Sequence, residues 1–266
     1  MLSTLSVLLA AVVGVVPSPV TVVTVHAKEF SFSAPKTAPA GTITFHLVND
    51  GAMLHHVTVI RLMQGKTMAD FMEAMKKSGP PPAWAVDVGG PNAAVPGQTS
   101  DATMTLEPGQ YVLACFIPSP GDPAPHLMKG MVRGLTVVPS SGARAEPAAD
   151  VNVRLSNYKF TMSKPLTVGH HVIRVTNDAE QPHEVVVVKL PPGKTVAALA
   201  QWVEDGMNGQ PPAMPLGGIS PLQKGRSATF PLELTPGRYG MICFLPDMKD
   251  GKSHSMHGMT TEFTVQ

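Results

Sequence analysis

The only two cysteines of the chain occupy matching places in two copies of one unit. Cys115 and Cys243 lie 128 positions apart (243 − 115), and the same step carries three neighbouring metal-binding side chains from the first copy to the second. The related positions are His55, Cys115, His126 and Met131 in the first copy and His183, Cys243, His254 and Met259 in the second. A chain of 266 residues that repeats itself in this way is predicted to fold as two similar domains.

The repeat extends beyond these positions and covers most of the chain. Further matching pairs are Gly89-Gly90 with Gly217-Gly218, Pro108-Gly109 with Pro236-Gly237, and Tyr111 with Tyr239. Between the copies, residues 139–150 are small, polar and Pro-containing, which is typical of a linker. We therefore predict one domain over residues 21–138 and a second over residues 151–266.

Composition and periodicity favour β structure in both copies. The chain has 24 glycines and 27 prolines, and only 15% of its residues are charged. Alternating apolar and polar residues predict half-buried strands at residues 42–48, 55–60, 172–175 and 184–188. Thr67 and Thr195 each precede apolar residues three to four apart, which predicts one short helix per copy with a threonine N-cap. The predicted fold class is all-β: two tandem Greek-key β-sandwich domains with antiparallel strands, each with a short helical insertion.

The charge balance excludes some partners, and the N-terminus suggests a location. A formal net charge of +1 provides no basic surface for nucleic acid and no acidic tail. Residues 1–16 are apolar and uncharged, and a proline follows them. We expect residues 1–20 to be a secretory signal, which makes the protein periplasmic or secreted; a lipid or helical anchor and a misassigned start are the alternatives. Membrane contact is expected only through such an N-terminal anchor.

The repeated side chains are a thiol, two imidazoles and a thioether, a set that suits a copper ion with one-electron chemistry. Cys115 is the predicted thiolate ligand of the first copy, and Met131 its axial sulfur. His55 and His126 supply the equatorial nitrogens, and the second copy repeats these roles. The sequence thus predicts two copper ions, one per domain. A paired methionine is a poor ligand for zinc, and a disulfide between the two cysteines would leave the histidines and methionines unexplained.

These motifs resemble those of the cupredoxins, the family of blue (type 1) copper proteins. The resemblance rests on an early histidine downstream of Asn49 or Asn177, on the motif Tyr-x-x-x-Cys-Phe-x-Pro ending at Pro118 or Pro246, and on His-x-Met-x-Gly-Met ending at Met131 or Met259. It implies a tandem two-domain cupredoxin with one type 1 copper site per domain. It also implies a protein that transfers electrons and is not an enzyme.

Several positions depart from the common family pattern or differ between the copies. Ten residues separate each cysteine from its loop histidine, which is closer to the loops of copper nitrite reductases than to those of single-domain carriers. The family commonly has an asparagine after the first histidine, which helps to hold the cysteine loop, whereas this chain has His56 and Glu184. The copies also differ at Lys129 and His257. Unequal reduction potentials are therefore expected, and a downhill electron step between the two coppers is a hypothesis.

The sequence predicts an electron carrier that docks transiently with a redox partner protein. Electrons are expected to pass the solvent-facing edge of His126 or His254, inside an apolar collar of Leu127, Met128 and Met256. Both methionines of this collar are also the alternative axial ligands. One competing hypothesis is a copper oxidoreductase of the nitrite reductase or multicopper oxidase kind, which needs a second copper centre. The histidines available for that centre are His46, His56, His170, His171 and His257, of which His170 and His171 are expected at the surface. A second competing hypothesis is copper storage or delivery.

Overall fold

Strands dominate both halves of the chain. The computed structural model describes residues 20–77, 81–141 and 145–266, so the predicted signal, apart from residue 20, lies outside the described residues. The strands of the first half (residues 20–138) are β1 Thr21–Lys28, β2 Ser31–Ser33, β3 Thr37–Pro39, β4 Gly41–Asn49, β5 Thr58–Leu62, β6 Ala85–Asp87, β7 Thr99–Leu106, β8 Gly109–Ala114, β9 Pro118–Ser119, β10 Asp122–Pro125 and β11 Val132–Val138. Those of the second half (residues 151–266) are β12 Val151–Ser156, β13 Lys159–Met162, β14 Gly169–Asn177, β15 His183–Leu190, β16 Met214–Leu222, β17 Ser227–Leu234, β18 Gly237–Ile242 and β19 Thr260–Val265. The helices are α1 Met68–Met75, α2 Val196–Glu204 and a 3-10 helix at His126–Lys129.

The strands form packed sheets around one continuous core. One sheet contains eight strands from both halves, in the order β13-β12-β14-β17-β7-β4-β1-β2. A five-stranded sheet (β3-β11-β8-β5-β6) completes the first half, and a four-stranded sheet (β16-β15-β18-β19) completes the second. The apolar cluster between the sheets runs through both halves, from Phe45 and Leu113 to Val185 and Phe230. The predicted all-β fold with short helical insertions is confirmed. Within the described ranges, no helix is long and apolar enough to cross a membrane.

Most strand pairs are antiparallel, as predicted, but in the described ranges β1 runs parallel to β4, β3 to β11, and β12 to β14. After β1 and β2 the chain enters the other sheet as β3 and then returns as β4, so that β1 and β4 run in the same direction. An alternating apolar pattern is the same for either direction, which is why the sequence did not reveal it.

The two halves are joined by strand pairing and backbone hydrogen bonds as well as by residues 139–150. Strands β7 and β17 pair at Thr103 and Thr229, which makes the eight-stranded sheet continuous across the chain. Beside this point, residues 88–94 of the first half lie against residues 216–222 of the second. The backbone bonds between these segments include Gly89 N–H to Pro221 O at 2.9 Å, Ser220 N–H to Gly90 O at 2.9 Å and Asn92 N–H to Gly218 O at 3.2 Å.

Glycine is required at one repeated position of these segments. Gly90 and Gly218 have φ values of 129° and 132°, in the region that favours glycine. A Cβ atom at either position would overlap the carbonyl oxygen of Val57 or Val185. The missing side chain therefore lets each segment approach the backbone two residues after the early histidine of its own half.

Each short helix covers the outer face of its smaller sheet. Alternate residues of β15 are buried on opposite sides: Val185 and Val187 face the main core, whereas Val186 and Val188 pack with helix α2. This explains an unbroken run of valines, since a strand covered on both faces has no polar side. The predicted N-caps are confirmed: Thr67 Oγ1 accepts from Asp70 N–H at 3.2 Å, and the hydroxyl of the second cap accepts from Ala198 N–H at 3.1 Å.

Candidate metal centres

Antiparallel pairing brings the predicted ligands of the first half to one end of the sandwich. His55 lies just ahead of β5, Cys115 directly follows β8, and Met131 immediately precedes β11. Because β5 and β11 both run antiparallel to β8, the start of each lies beside the end of β8. The 3-10 helix begins at His126 and is tied to this end by Leu127 N–H, which donates to Cys115 O at 2.8 Å, and by Met131 N–H, which donates to His126 O at 3.0 Å.

The second half repeats this arrangement. His183 begins β15, Cys243 directly follows β18, and Met259 immediately precedes β19. Met259 N–H donates to His254 O at 2.9 Å, and Cys243 N–H donates to Met259 O at 3.3 Å. Cys115 N–H likewise donates to Met131 O at 3.2 Å in the first half, so these two backbone bonds close the loop between cysteine and methionine in both halves.

In each half, two imidazoles and one thiol place a donor atom within 4.8 Å of one another. In the second half the Sγ atom of Cys243 lies 3.3 Å from Nδ1 of His254 and 4.0 Å from Nδ1 of His183. In the first half, Sγ of Cys115 lies 3.6 Å from Nδ1 of His126. Three donors bound to one metal ion at about 2.0–2.3 Å lie roughly 3–4 Å apart. We call His55, Cys115 and His126 the first triad and His183, Cys243 and His254 the second triad. Both triads have the dimensions of a three-ligand metal site.

Buried ring nitrogens without hydrogen-bond partners also fit a metal. His55 is fully buried, and neither of its nitrogens has a hydrogen-bond partner among the described residues. A buried polar atom without a partner is costly, and such atoms in native proteins commonly bind an ion or a ligand. The donor set of nitrogen and sulfur suits copper, as the sequence predicts.

Burial sets the protonation of both triads. It lowers the pKa of His126 and His183 to about 4, and repulsion from the neighbouring imidazole of each triad adds to this shift. Burial raises the pKa of Cys115 to about 12, and it raises the pKa of Cys243 as well. At neutral pH the imidazoles are therefore uncharged and ready to bind, whereas each thiol must lose a proton to become a ligand.

The methionines near the triads fall into two classes. Met131 and Met259 are completely buried, whereas Met128 and Met256 expose 42% and 54% of their surface. Leu127, the third member of the predicted collar, is buried under helix α1 and does not reach the surface. Of the three residues of the predicted collar, only Met128 and Met256 are exposed.

His56 and Glu184 support the cysteine loops from the position where cupredoxins commonly have asparagine. Nε2 of His56 accepts a hydrogen bond from Phe116 N–H at 2.9 Å, and Oε1 of Glu184 accepts one from Phe244 N–H at 3.1 Å. Each phenylalanine directly follows the cysteine of a triad. Burial lowers the pKa of His56 to about 4, so that its Nε2 is free to accept. The departure in residue type therefore keeps a hydrogen-bond acceptor in place.

An aromatic side chain covers the loop histidine in each half. The Phe30 ring meets the His126 ring edge-on at 5.2 Å between centroids, and the Tyr158 ring meets that of His254 at 5.6 Å. With this cover the two histidines expose 0% and 1% of their surface, so the expectation of a solvent-facing histidine edge was wrong. Both aromatic residues have a positive φ, 56° and 61°. Such a conformation costs about 1–3 kcal/mol, and the structure keeps it at the same place in both halves.

The remaining histidines do not converge. Among the described residues, the groups of three or more metal-capable side chains are the two triads and a third group of Asp247, Asp250 and His257. His46 pairs with Asp101. His171 is buried and bonded to Asp150 at 2.7 Å, so its predicted surface position was wrong.

Two carboxylates next to the triads were not predicted from the sequence. Oε1 of Glu29 lies 3.6 Å from Nε2 of His55, and Oδ2 of Asp247 lies 3.8 Å from Nε2 of His254. Neither position repeats as an acid in the other copy, so the comparison of the copies does not single them out. Phe30 and Tyr158, by contrast, are aromatic in both copies and are detectable by that comparison.

No protein-family model and no curated protein matches the chain. Solved structures similar to it include a dithionite-reduced auracyanin from the photosynthetic bacterium Roseiflexus castenholzii, 25% identical over 46% of this chain and 100% of that one, with a TM-score of 0.33. Auracyanin A, a "blue" copper protein from Chloroflexus aurantiacus, is 20% identical over 45% of this chain and 100% of that one, with a TM-score of 0.32. A copper nitrite reductase from Nitrosomonas europaea is 14% identical over 93% of each chain, with a TM-score of 0.27.

These TM-scores are low, and the assignment of the architecture rests on the molecule itself. Each half is built from packed β-sheets, and an early histidine meets a cysteine and a second histidine at the end of β8 or β18. The order of these residues along the chain is the order found in cupredoxins. The two halves and their triads therefore agree with the tandem arrangement that the resemblance to cupredoxins predicts.

Proposed function

We propose that the protein is an electron carrier with one type 1 copper site in each half. The observation that carries this proposal is the convergence, twice in one chain, of a buried cysteine with two buried histidines whose donor atoms lie within 4.8 Å. A thiolate and two imidazoles, with a weak axial thioether, suit both valences of copper. Bound copper supplies a one-electron redox couple.

The residues of each half have distinct roles in this proposal. The thiolates are those of Cys115 and Cys243. The equatorial nitrogens are those of His55 and His126 in the first half and of His183 and His254 in the second. We favour Met131 and Met259 as the axial ligands because both are completely buried. The alternatives, Met128 and Met256, are exposed to solvent. These buried side chains exclude water from the copper ion. Because the same ligand set suits both valences, little rearrangement is needed when the copper changes valence, which favours fast electron transfer.

The surroundings of the triads suit a weak, short-lived contact with a redox partner protein. Met128 and Met256 are exposed two residues after the buried loop histidines. Methionine is flexible and adapts to different partner surfaces. We place the protein in the periplasm or outside the cell. These compartments are oxidising, and burial in a metal site would protect both free cysteines there.

A visible spectrum combined with metal analysis tests the proposal. Purified protein loaded with Cu(II) should bind about two copper ions per chain and show an intense thiolate-to-Cu(II) absorption band. Cys115→Ser and Cys243→Ser should each remove about half of the band, and the double variant should remove all of it. Met128→Leu serves as a control, because it changes an exposed sulfur beside the site and should leave the band in place.

Other results would favour the competing functions. A colourless protein that binds its full complement of copper would contradict type 1 sites and indicate storage or delivery. More than two copper ions per chain, together with consumption of nitrite or oxygen, would indicate an oxidoreductase. We favour the carrier because, in the part of the chain that is described, the further histidines do not gather into another histidine cluster.

A further inference from the structure

The two triads lie in different electrostatic surroundings, although the chain around them is duplicated. Positions near the triads that differ in charge include Glu29 and Asn157, Ser119 and Asp247, Lys129 and His257, and the pair His56 and Glu184 described above. In each pair the two residues are 128 positions apart, so that each half provides the reference for the other.

Asp247 is a buried carboxylate beside the second triad. It exposes 4% of its surface, and its Oδ2 lies 3.8 Å from Nε2 of His254. Tyr158 Oη and Gln181 Nε2 donate hydrogen bonds to the same oxygen at 2.6 and 2.8 Å, and Lys249 N–H donates to the other oxygen at 2.8 Å. These bonds hold the pKa of Asp247 well below its usual range. The donors are neutral groups, so the carboxylate keeps its full negative charge.

The first triad has a lysine in the corresponding region. Nζ of Lys129 lies 2.7 Å from Oγ of Ser119 and 4.9 Å from the centroid of the Phe30 ring, which contacts the ring of His126. Asp122 pairs with the same ammonium at 2.8 Å, but its side chain is half exposed. The side chain of Lys129 is only 21% exposed. Water therefore screens the negative charge of Asp122 more than it screens the positive charge of Lys129.

A charge beside the loop histidine therefore differs in sign between the two halves. In the second half it is a buried carboxylate, 3.8 Å from Nε2 of His254. In the first half it is an ammonium over the aromatic ring that contacts His126.

One carboxylate near the first triad acts against this difference. Oε1 of Glu29 lies 3.6 Å from Nε2 of His55, where the second half has the neutral Oδ1 of Asn157, at 3.5 Å from Nε2 of His183. The side chain of Glu29 is 27% exposed, whereas that of Asp247 is 2% exposed. Solvent therefore screens the charge of Glu29 more strongly than that of Asp247. The surroundings of the second triad therefore remain the more negative.

We propose that Asp247 and Lys129 set the order of the two reduction potentials, with the lower potential at the second-half site. This inference rests on the proposed function. An oxidised site carries one more positive charge than a reduced site, so a buried anion stabilises the oxidised form and lowers the potential, whereas a cation raises it. When a single electron is shared between two loaded sites, the first-half site holds it.

Single-site proteins allow each potential to be measured separately. Cys243→Ser leaves only the first-half site, and Cys115→Ser leaves only the second-half site, so each redox titration follows one thiolate band. We expect the second-half site to have the lower potential. Asp247→Asn, which keeps the shape and removes the charge, should raise that potential by about 59 mV, equivalent to a roughly tenfold change in the ratio of Cu(II) to Cu(I) affinity. Lys129→Met should lower the potential of the first-half site.

Asp250→Asn is the matched control, because it removes a carboxylate from the same loop whose side chain is 39% exposed. Its effect on the second-half potential should be much smaller. Equal potentials in the two single-site proteins, or equal shifts from Asp247→Asn and Asp250→Asn, would overturn the inference. Absence of a thiolate band from both single-site proteins would instead overturn the proposed function. Lys129→Met provides a second test if Asp247→Asn does not fold. An unchanged potential of the first-half site in Lys129→Met would also overturn the inference.

Discussion

Asn92 of the first half donates a hydrogen bond from Nδ2 to Oε2 of Glu184 in the second half, at 3.0 Å. The other oxygen of this carboxylate accepts from Phe244 N–H, directly after Cys243. A residue of one half therefore positions the group that holds the cysteine loop of the other half. The contact between the halves is thus part of the support of the second triad.

Asn92→Ala should lower the free energy of unfolding by about 1–3 kcal/mol, because a buried carboxylate oxygen loses its donor. Ser220 is the counterpart of Asn92 in the repeat and donates one longer bond, to Pro91 O at 3.3 Å. Ser220→Ala should therefore cost less, about 1 kcal/mol. Urea unfolding of the metal-free protein measures both losses. Equal losses would show that Asn92 has no special role at the contact.

Glu184 should make the stability of the metal-free protein depend on pH. Burial raises its pKa from the usual 4.5 to about 7, so between these values the folded state holds a proton that the unfolded state releases. The contribution of this group to stability is therefore complete below pH 4.5 and is lost as the pH rises to 7. Relative to the natural protein, Glu184→Gln should gain up to about 3 kcal/mol over this range. Urea unfolding at several pH values measures the gain, and Glu180→Gln, at a side chain that is 82% exposed, should show none.

Removing the aromatic cover should expose a histidine of the first triad to chemical modification. In the metal-free protein, Phe30→Ala should allow diethylpyrocarbonate to reach the ring of His126, which is fully buried in the natural protein. Peptide mass analysis locates the modified histidine. Tyr158→Phe is the control, since it keeps the covering ring in the second half and should leave His254 unmodified. Similar labelling of His126 with and without Phe30 would show that the cover lies elsewhere.

Loading the metal-free protein should release about one proton per copper ion. Each thiol is protonated at neutral pH because burial raises its pKa, to about 12 for Cys115. The pKa values of His126 and His183 are about 4, so these rings have no ligand-blocking proton to lose. The count should remain near one at pH 5.5. A pH indicator in weakly buffered solution measures the release when Cu(I) is added, and two or three protons per ion at pH 5.5 would contradict the buried, neutral histidines.

The triads were predictable from the sequence because chemistry and order were both repeated. Cys115 and Cys243 are the only cysteines, and each precedes a histidine and a methionine at the same distances. The strands next to them were also predictable, since alternating burial leaves a period of two in the sequence. Strand direction and the shared sheet leave no such trace. Thr103 and Thr229 are polar positions in alternating apolar and polar stretches, so nothing in the sequence marks them as the residues that pair.

The surroundings of the triads were less predictable because they come from distant parts of the chain. Phe30 covers His126 from 96 positions upstream (126 − 30), and nothing in its local sequence indicates that contact. Asp247 appears in only one copy, so the repeat gives no reason to select it. Ligand identity is encoded locally, whereas cover and charge depend on how remote segments pack.

The pairing of Thr103 with Thr229 has a consequence for what the covalent connection between the halves contributes. Because the central sheet and the bonds between residues 88–94 and 216–222 already join the halves, a protease cut within residues 139–150 is expected to yield two fragments that co-migrate as one particle. The polypeptide there raises the local concentration of one half around the other during folding. Once the halves have assembled, the two triads keep a constant distance from each other without this connection.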